Sequence, residues 1–120
     1  VTFRRKMLGR CGEEAAAAYL AQKGYRILCR NYRCALGEID LVAVDGATLV
    51  FVEVRSRSSE RFGLPEESVT WRKKRRLRQL ASYFLASCGG HRGPVRFDVL
   101  ALRYAADGSL MAIEHIVNAF

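Results

Sequence analysis

Two neighbouring apolar runs, Glu38 to Val44 and Leu49 to Arg55, separated by Asp45-Gly46-Ala47-Thr48, restrict this chain more than any other feature. Both are rich in β-branched residues and bounded by turn chemistry, so the pair reads as a hairpin. A strand wetted on one side alternates apolar with polar residues, and these do not. Ile39, Leu41, Val50, Val52 and Val54 point one way; Val42, Val44, Leu49 and Phe51 point the other. Both faces of the sheet therefore need cover, and helices supply it in α/β domains.

The flanking sequence provides that cover. Leu8 to Lys23 reads as a helix: Ala15 to Ala18 have high helix propensity, Leu8, Ala15, Ala16, Tyr19 and Leu20 recur near a 3.6-residue period, and Gly24 ends it. A longer helix follows Thr70 as N-cap, with Leu77, Leu80, Ala81, Phe84 and Leu85 as its apolar stripe and Gly89-Gly90 as its stop. Tyr25 to Arg33, Arg96 to Tyr104 and Leu110 to Val117 read as further strands, the last two joined at Asp107-Gly108. Ser56 to Pro65, polar with Ser, Gly and Pro, reads as a mobile loop. The order predicts an α/β structure, a mixed sheet covered by helices on both faces, within a single domain over residues 1–120.

Acids break the apolar pattern in one place: Glu38 and Asp40 on the first hairpin strand, Glu53 on the second, with Arg55 beyond it. Pairing Val44 with Leu49 sets Asp40 opposite Glu53, whereas a two-residue loop at Asp45-Gly46 makes them diagonal neighbours. In either register Asp40 and Glu53 share a face with Glu38 and Arg55. Carboxylates gathered in this way repel each other, and one answer is bound Mg2+, which takes one or two carboxylates and leaves positions for water and phosphate. That arrangement suits phosphodiester hydrolysis. The same residues also suit a cross-strand salt bridge, with Arg55 pairing with Glu38 or Glu53.

Charge points to the partner. Twenty Lys and Arg against twelve Asp and Glu give +8, which favours polyanions, nucleic acid ahead of an anionic membrane. Arg72 to Arg78 holds six cations in seven residues, and Arg72, Lys74, Arg75, Arg76 and Arg78, with Arg57, Arg61 and Arg4-Arg5-Lys6, form a candidate phosphate-tracking surface. Trp71, Tyr32 and Phe62 read as core or loop anchors rather than base-stacking groups. No apolar run approaches the roughly 18 residues of a membrane span, so no membrane role is expected. Cys11, Cys29, Cys34 and Cys88 follow no secretory signal and lack zinc-knuckle spacing, so reduced thiols and a cytoplasmic setting are expected. His91 and His115 show no ligand spacing, Asp98 in its apolar strand reads as a structural hydrogen-bonding group, and Ser58-Ser59 have no catalytic partners in view.

Asp40, then thirteen residues on Glu53-Val54-Arg55, preceded by a helix with Gly12-Glu13, resembles the PD-(D/E)xK restriction-endonuclease-like superfamily, especially archaeal-type Holliday junction resolvases. Gly9-Arg10-Cys11-Gly12-Glu13, Gly24-Tyr25-Arg26-Ile27-Leu28, Asn31-Tyr32-Arg33, Gly37-Glu38-Ile39-Asp40-Leu41, Phe51-Val52-Glu53-Val54, Arg96-Phe97-Asp98-Val99 and Asn118-Ala119-Phe120 are similar to the YraN-like bacterial proteins, over nearly the whole chain. The resemblance implies a restriction-endonuclease-like fold with a mixed four- to five-stranded sheet between helices. It implies a nuclease site using Mg2+ or Mn2+, in which Asp40, Glu53 and Glu13 are ligands; Glu38, on the same face, is expected either behind the ligands or as an outer ligand itself. Glu13 shares a helical stripe with Ala16 and Leu20, consistent with an inward position.

Where the superfamily has Lys, this chain has Arg55, which can hold a phosphate but cannot act as a base. Lys73, on the inner stripe of the second helix and matched in the YraN-like pattern, is the cation expected to reach the acids or the phosphate. The reading is a metal-dependent endonuclease-like protein acting on DNA in preference to RNA, with a homodimer implied by analogy to the resolvases. The other reading is a nucleic-acid-binding or partner-docking module that keeps the fold without turnover.

Overall fold

The computed structural model describes residues 2–58 and 69–120, with side chains over 12–57 and 69–120. The apolar hairpin is its centre. Strand β2 (Gly37–Asp45) turns into β3 (Thr48–Ser58) with Val44 paired to Leu49 and Asp45 to Thr48, leaving Gly46 and Ala47 as the turn. Gly46 sits at φ 61°, the left-handed conformation that such a tight turn needs. This register places Asp40 opposite Glu53.

Around the hairpin stand α1 (Thr2–Gln22), β1 (Arg26–Cys34), α2 (Trp71–Cys88), β4 (Val95–Tyr104) and β5 (Leu110–Ile116). The sheet runs β1-β2-β3-β4-β5. Every neighbouring pair is antiparallel except β3 and β4, which are parallel because α2 carries the chain back between them. The five-stranded mixed sheet with helices on both faces is the α/β arrangement of a restriction-endonuclease-like fold. Helix α1 begins at Thr2, six residues ahead of the expected Leu8. Among the described residues, no helix is long and apolar enough to cross a membrane.

Each face has its own core. Ala16, Ala17 and Leu20 of α1 pack on Leu41, Ala43, Val50, Val52, Leu100 and Leu102. Leu77, Leu80 and Ala81 of α2 pack on Val42, Leu49, Phe51 and Val99. Thr70 caps α2 by accepting the Lys73 N–H at 3.1 Å, and Gly89 closes it at φ 84°. Tyr32 packs edge-on against Phe84 inside the α2 core, as an anchor.

Three expectations are corrected. Ile39, expected on the face of Leu41, lies in the α2 core instead, so β2 changes parity between the two. The change coincides with Asn31 at φ 54° on β1, where pairing passes from Arg30↔Leu41 to Tyr32↔Ile39. Ser56 to Ser58, expected in a loop, extend β3 because they pair with Leu102 to Tyr104 of β4; the rest of that loop, with Ser59, Arg61 and Phe62, lies outside the described residues. Trp71, expected as an anchor, is 74% exposed, because it sits off the Leu77 and Leu80 stripe at the start of α2.

Candidate metal centre and basic face

The β2–β3 ladder ends at Leu41↔Val52, while β3 continues to Ser58 alongside β4 alone. The strands part at Asp40 and Glu53. Into this opening Asp40 places its carboxylate, whose Oδ2 accepts the Val54 N–H at 2.8 Å in place of a strand partner. The Glu53 carboxylate stands close enough for its charge to bear on the Asp40 carboxyl. Glu53 is buried, and on the α2 side its Oε2 lies 3.7 Å from Lys73 Nζ.

Two more carboxylates close over Asp40. Glu13 of α1 and Glu38 of β2 each offer an oxygen, and with Asp40 these atoms all lie within 4.8 Å of one another. Gly12 is what lets α1 come this low. A Cβ there would stand 2.8 Å from Ser56 Oγ and 3.6 Å from the Tyr104 hydroxyl. Glu38 also receives the Arg33 Nε at 2.9 Å, from a guanidinium that is largely exposed.

Burial, the Glu53 charge and the Glu38 charge push the Asp40 carboxyl from 3.8 up to about 7, against the opposing pull of the Val54 N–H. A half-buried set of carboxylates this close is under repulsion that an added cation would relieve. All donors are hard oxygens, the set that Mg2+ and Mn2+ favour, so the residues fit such an ion.

The expected site residues are distributed as follows. Asp40, Glu13 and Glu38 form the tight cluster; Glu53 joins through Asp40, and Lys73 through Glu53. Glu38, expected behind the ligands or as an outer one, lies in the tight cluster with Glu13 and Asp40, a position signalled by its i, i+2 spacing on the same strand. Arg55 and Arg57 follow on β3, in register with Ala101 and Arg103 of β4. On α2, Arg72, Arg75, Arg76 and Arg78 are exposed. Lys74 Nζ and the Arg78 guanidinium instead flank the Phe120 ring, at 5.7 and 5.9 Å from its centroid. Thr70, Arg72, Lys73 and Arg76 line a cleft of about 230 Å3. Arg61 and the side chains of Arg4, Arg5 and Lys6 fall outside the described residues.

Asp98, expected as a structural hydrogen-bonding group, is the centre of a second polar cluster whose partners the sequence does not name. Asp98, fully buried, accepts both Arg96 Nε and Nη2 at 2.9 Å, the Asn118 N–H at 2.9 Å and His115 Nε2 at 2.7 Å. Arg96 also donates to the Tyr25 hydroxyl at 2.7 Å and to Asp45 at 3.3 Å. With Nε2 donating to the carboxylate, His115 Nδ1 accepts from Lys23 Nζ at 2.8 Å. Burial alone would raise the Asp98 carboxyl; the donors of Arg96, Asn118 and His115 together hold it below 3.8. Arg96, two residues before Asp98 and so on the same side of β4, was the one available signal.

Comparison with known proteins places this architecture among relatives. A family model described as "Uncharacterised protein family UPF0102" matches residues 12–102, which include every carboxylate of the cluster. The chain is 55% identical over 116 residues to a UPF0102 protein of Pelotomaculum thermopropionicum, with 97% of each chain covered. It is 52% identical over 120 residues to one of Moorella thermoacetica, covering all of both, and 46% identical over 113 residues to one of Rhodococcus jostii, covering 94% and 95%.

Proposed function

The chain belongs to the uncharacterised protein family UPF0102, and we propose that it hydrolyses phosphodiester bonds in nucleic acid with Mg2+ or Mn2+. One observation carries this reading: a half-buried Asp40 clustered with Glu13 and Glu38 and adjoined by the buried Glu53, at a sheet opening beside a strongly basic helix. Glu13, Glu38 and Asp40 would hold the ion, with Glu53 adjoining. When bound, the ion supplies Lewis acidity at the phosphate and makes water a better nucleophile near neutral pH.

The chain's own residues do the rest. The Val54 N–H fixes the Asp40 carboxylate, so the donor set is assembled before substrate arrives. Lys73, tethered to Glu53, brings a positive charge to the edge of the cluster, where it can hold a phosphate oxygen. Arg55 serves in binding rather than proton transfer, since a guanidinium makes a poor base. Arg72, Arg75 and Arg76 track the backbone with salt-dependent, sequence-independent affinity. DNA in preference to RNA, a cytoplasmic setting and a symmetric dimer belong to the same proposal. The presence of Arg55 in place of the superfamily's Lys favours a second reading, a nucleic-acid-binding or partner-docking module without turnover.

A labelled panel of duplex, single strand, flap, four-way junction and RNA separates the two. With Mg2+ or Mn2+, cleavage is expected to fall more than about 100-fold in Asp40→Ala, since changes even to groups behind metal ligands cost 10- to 100-fold. Arg55→Lys is expected to match or exceed the parent. Absence of cleavage by every form, with tight salt-sensitive binding retained, would select the module.

A further inference from the structure

An exposed tryptophan is uncommon, because the indole is among the largest apolar surfaces a fold can bury. Trp71, the only tryptophan in the chain, is 74% exposed. It opens the first turn of α2, and Lys73, in the same turn, meets Glu53 at 3.7 Å. The two side chains leave the helix on different sides, the lysine toward the acids and the indole into solvent, within one turn of each other. Lys73 also lines a cleft with Thr70, Arg72 and Arg76, the residues that flank Trp71 in sequence and one turn on.

The surroundings of the ring select what covers it. The Arg75 guanidinium lies 5.7 Å from the indole centroid, and Arg72 and Arg76 are exposed nearby. An apolar protein surface seated here would have to strip water from these guanidiniums without pairing them, which is unfavourable. A partner that is both anionic and planar satisfies the two demands together: phosphates for the cations, a base face for the indole. A continuous duplex does not present such a face, because each base is already stacked on its neighbours. A strand with unpaired nucleotides does.

We propose that Trp71 is a base-stacking platform, and that the strand entering the acidic cluster is unpaired where it crosses the first turn of α2. The preferred substrate class is then nucleic acid with a single-stranded segment. This deepens the nuclease reading and rests on it, since the strand's destination is the cluster of Asp40 and Glu53.

The single tryptophan makes the test direct. Fluorescein-labelled single-stranded and blunt duplex DNA are titrated in EDTA, which prevents cleavage, while dye anisotropy reports binding and indole emission reports stacking. Single strand is expected to quench Trp71 in step with the anisotropy, and duplex to bind with little quenching. Trp71→Ala should weaken single-strand binding by roughly 5- to 150-fold, the range that loss of one stacked base implies, while duplex affinity is unchanged and Trp71→Phe retains most of the preference. Being exposed, the position tolerates both substitutions without loss of the fold, which circular dichroism checks. Single-strand binding with no quenching and no effect of Trp71→Ala, or equal quenching by duplex, would overturn the platform while leaving the nuclease reading intact. Absence of salt-sensitive binding to either form would overturn both.

Discussion

Two aspartates flank β3, and they live in opposite company. Asp40, on β2, meets Glu53, Glu38 and Glu13, and its single strong donor is the Val54 N–H. Asp98, on β4, meets Arg96 twice, His115 and the Asn118 N–H. Burial opposes ionisation at both. The first carboxyl is driven up to about 7 and the second is held below 3.8, so partners decide the sign, not depth. The same chain that neutralises one buried acid completely leaves the other among like charges, and that imbalance marks where an external cation would act.

The contrast breaks most visibly at Asp98. Asp98→Ala leaves Arg96 and His115 without their shared acceptor and should cost about 3–5 kcal/mol, seen as a fall in melting temperature of 10 °C or more. A loss below about 1 kcal/mol would show that the cluster is not a clasp. Next in size is the response to metal. At about 100 times its Kd, Mg2+ should stabilise the parent by roughly 2.7 kcal/mol in thermal melts at pH 8, and should not stabilise Asp40→Asn.

The third effect is one of pH. Between about pH 4 and pH 7 folded Asp40 keeps a proton that the unfolded chain has released, so its contribution to metal-free stability falls as pH rises through that window. Asp98 acts in the opposite direction: its contribution is complete above about pH 4 and is lost as pH drops through the depressed folded value. Asp40→Asn, whose amide still accepts from Val54 and can donate to Glu53, should therefore be more stable than the parent at pH 8 by about 1–2 kcal/mol, one pK unit being worth about 1.4 kcal/mol. Urea unfolding at pH 5 and pH 8 measures it, and a gain undiminished at pH 5 would contradict the assignment. Smallest is Arg33→Ala, which removes an exposed ion pair from Glu38 and should change stability by less than about 1 kcal/mol by the same urea assay.

Much of this was legible beforehand because periodicity reports faces. Val42, Val44, Leu49 and Phe51 were assigned to one side of the hairpin and Leu41, Val50, Val52 and Val54 to the other, as the two cores have them. Of the two registers the loop allows, the Val44↔Leu49 one that opposes Asp40 to Glu53 is adopted, and the inward stripe of α2 points Lys73 toward the acids. Ile39 was misassigned because alternation assumes an unbroken pleat, and the backbone twist at Asn31 leaves no compositional trace. The exposure of Trp71 is not readable from apolarity, which does not say whether the first turn of a helix overhangs its sheet. Asp98 is legible as a structural hydrogen-bonding group, but its partners are not: Lys23, Tyr25, Asp45, His115 and Asn118 come from segments far apart in sequence, and only the finished sheet brings them together.

The parity change on β2 ties architecture to chemistry in a lasting way. Ile39 is embedded beneath one helix and Leu41 beneath the other, each almost wholly removed from water. Those two anchors, rather than the acid between them, hold the twist that aims residue 40 into the gap. Descendants that exchanged the carboxylate for an inert side chain would keep the twist, since straightening it would expose one anchor or the other. The backbone would then remain as a mould of the site after its chemistry had gone.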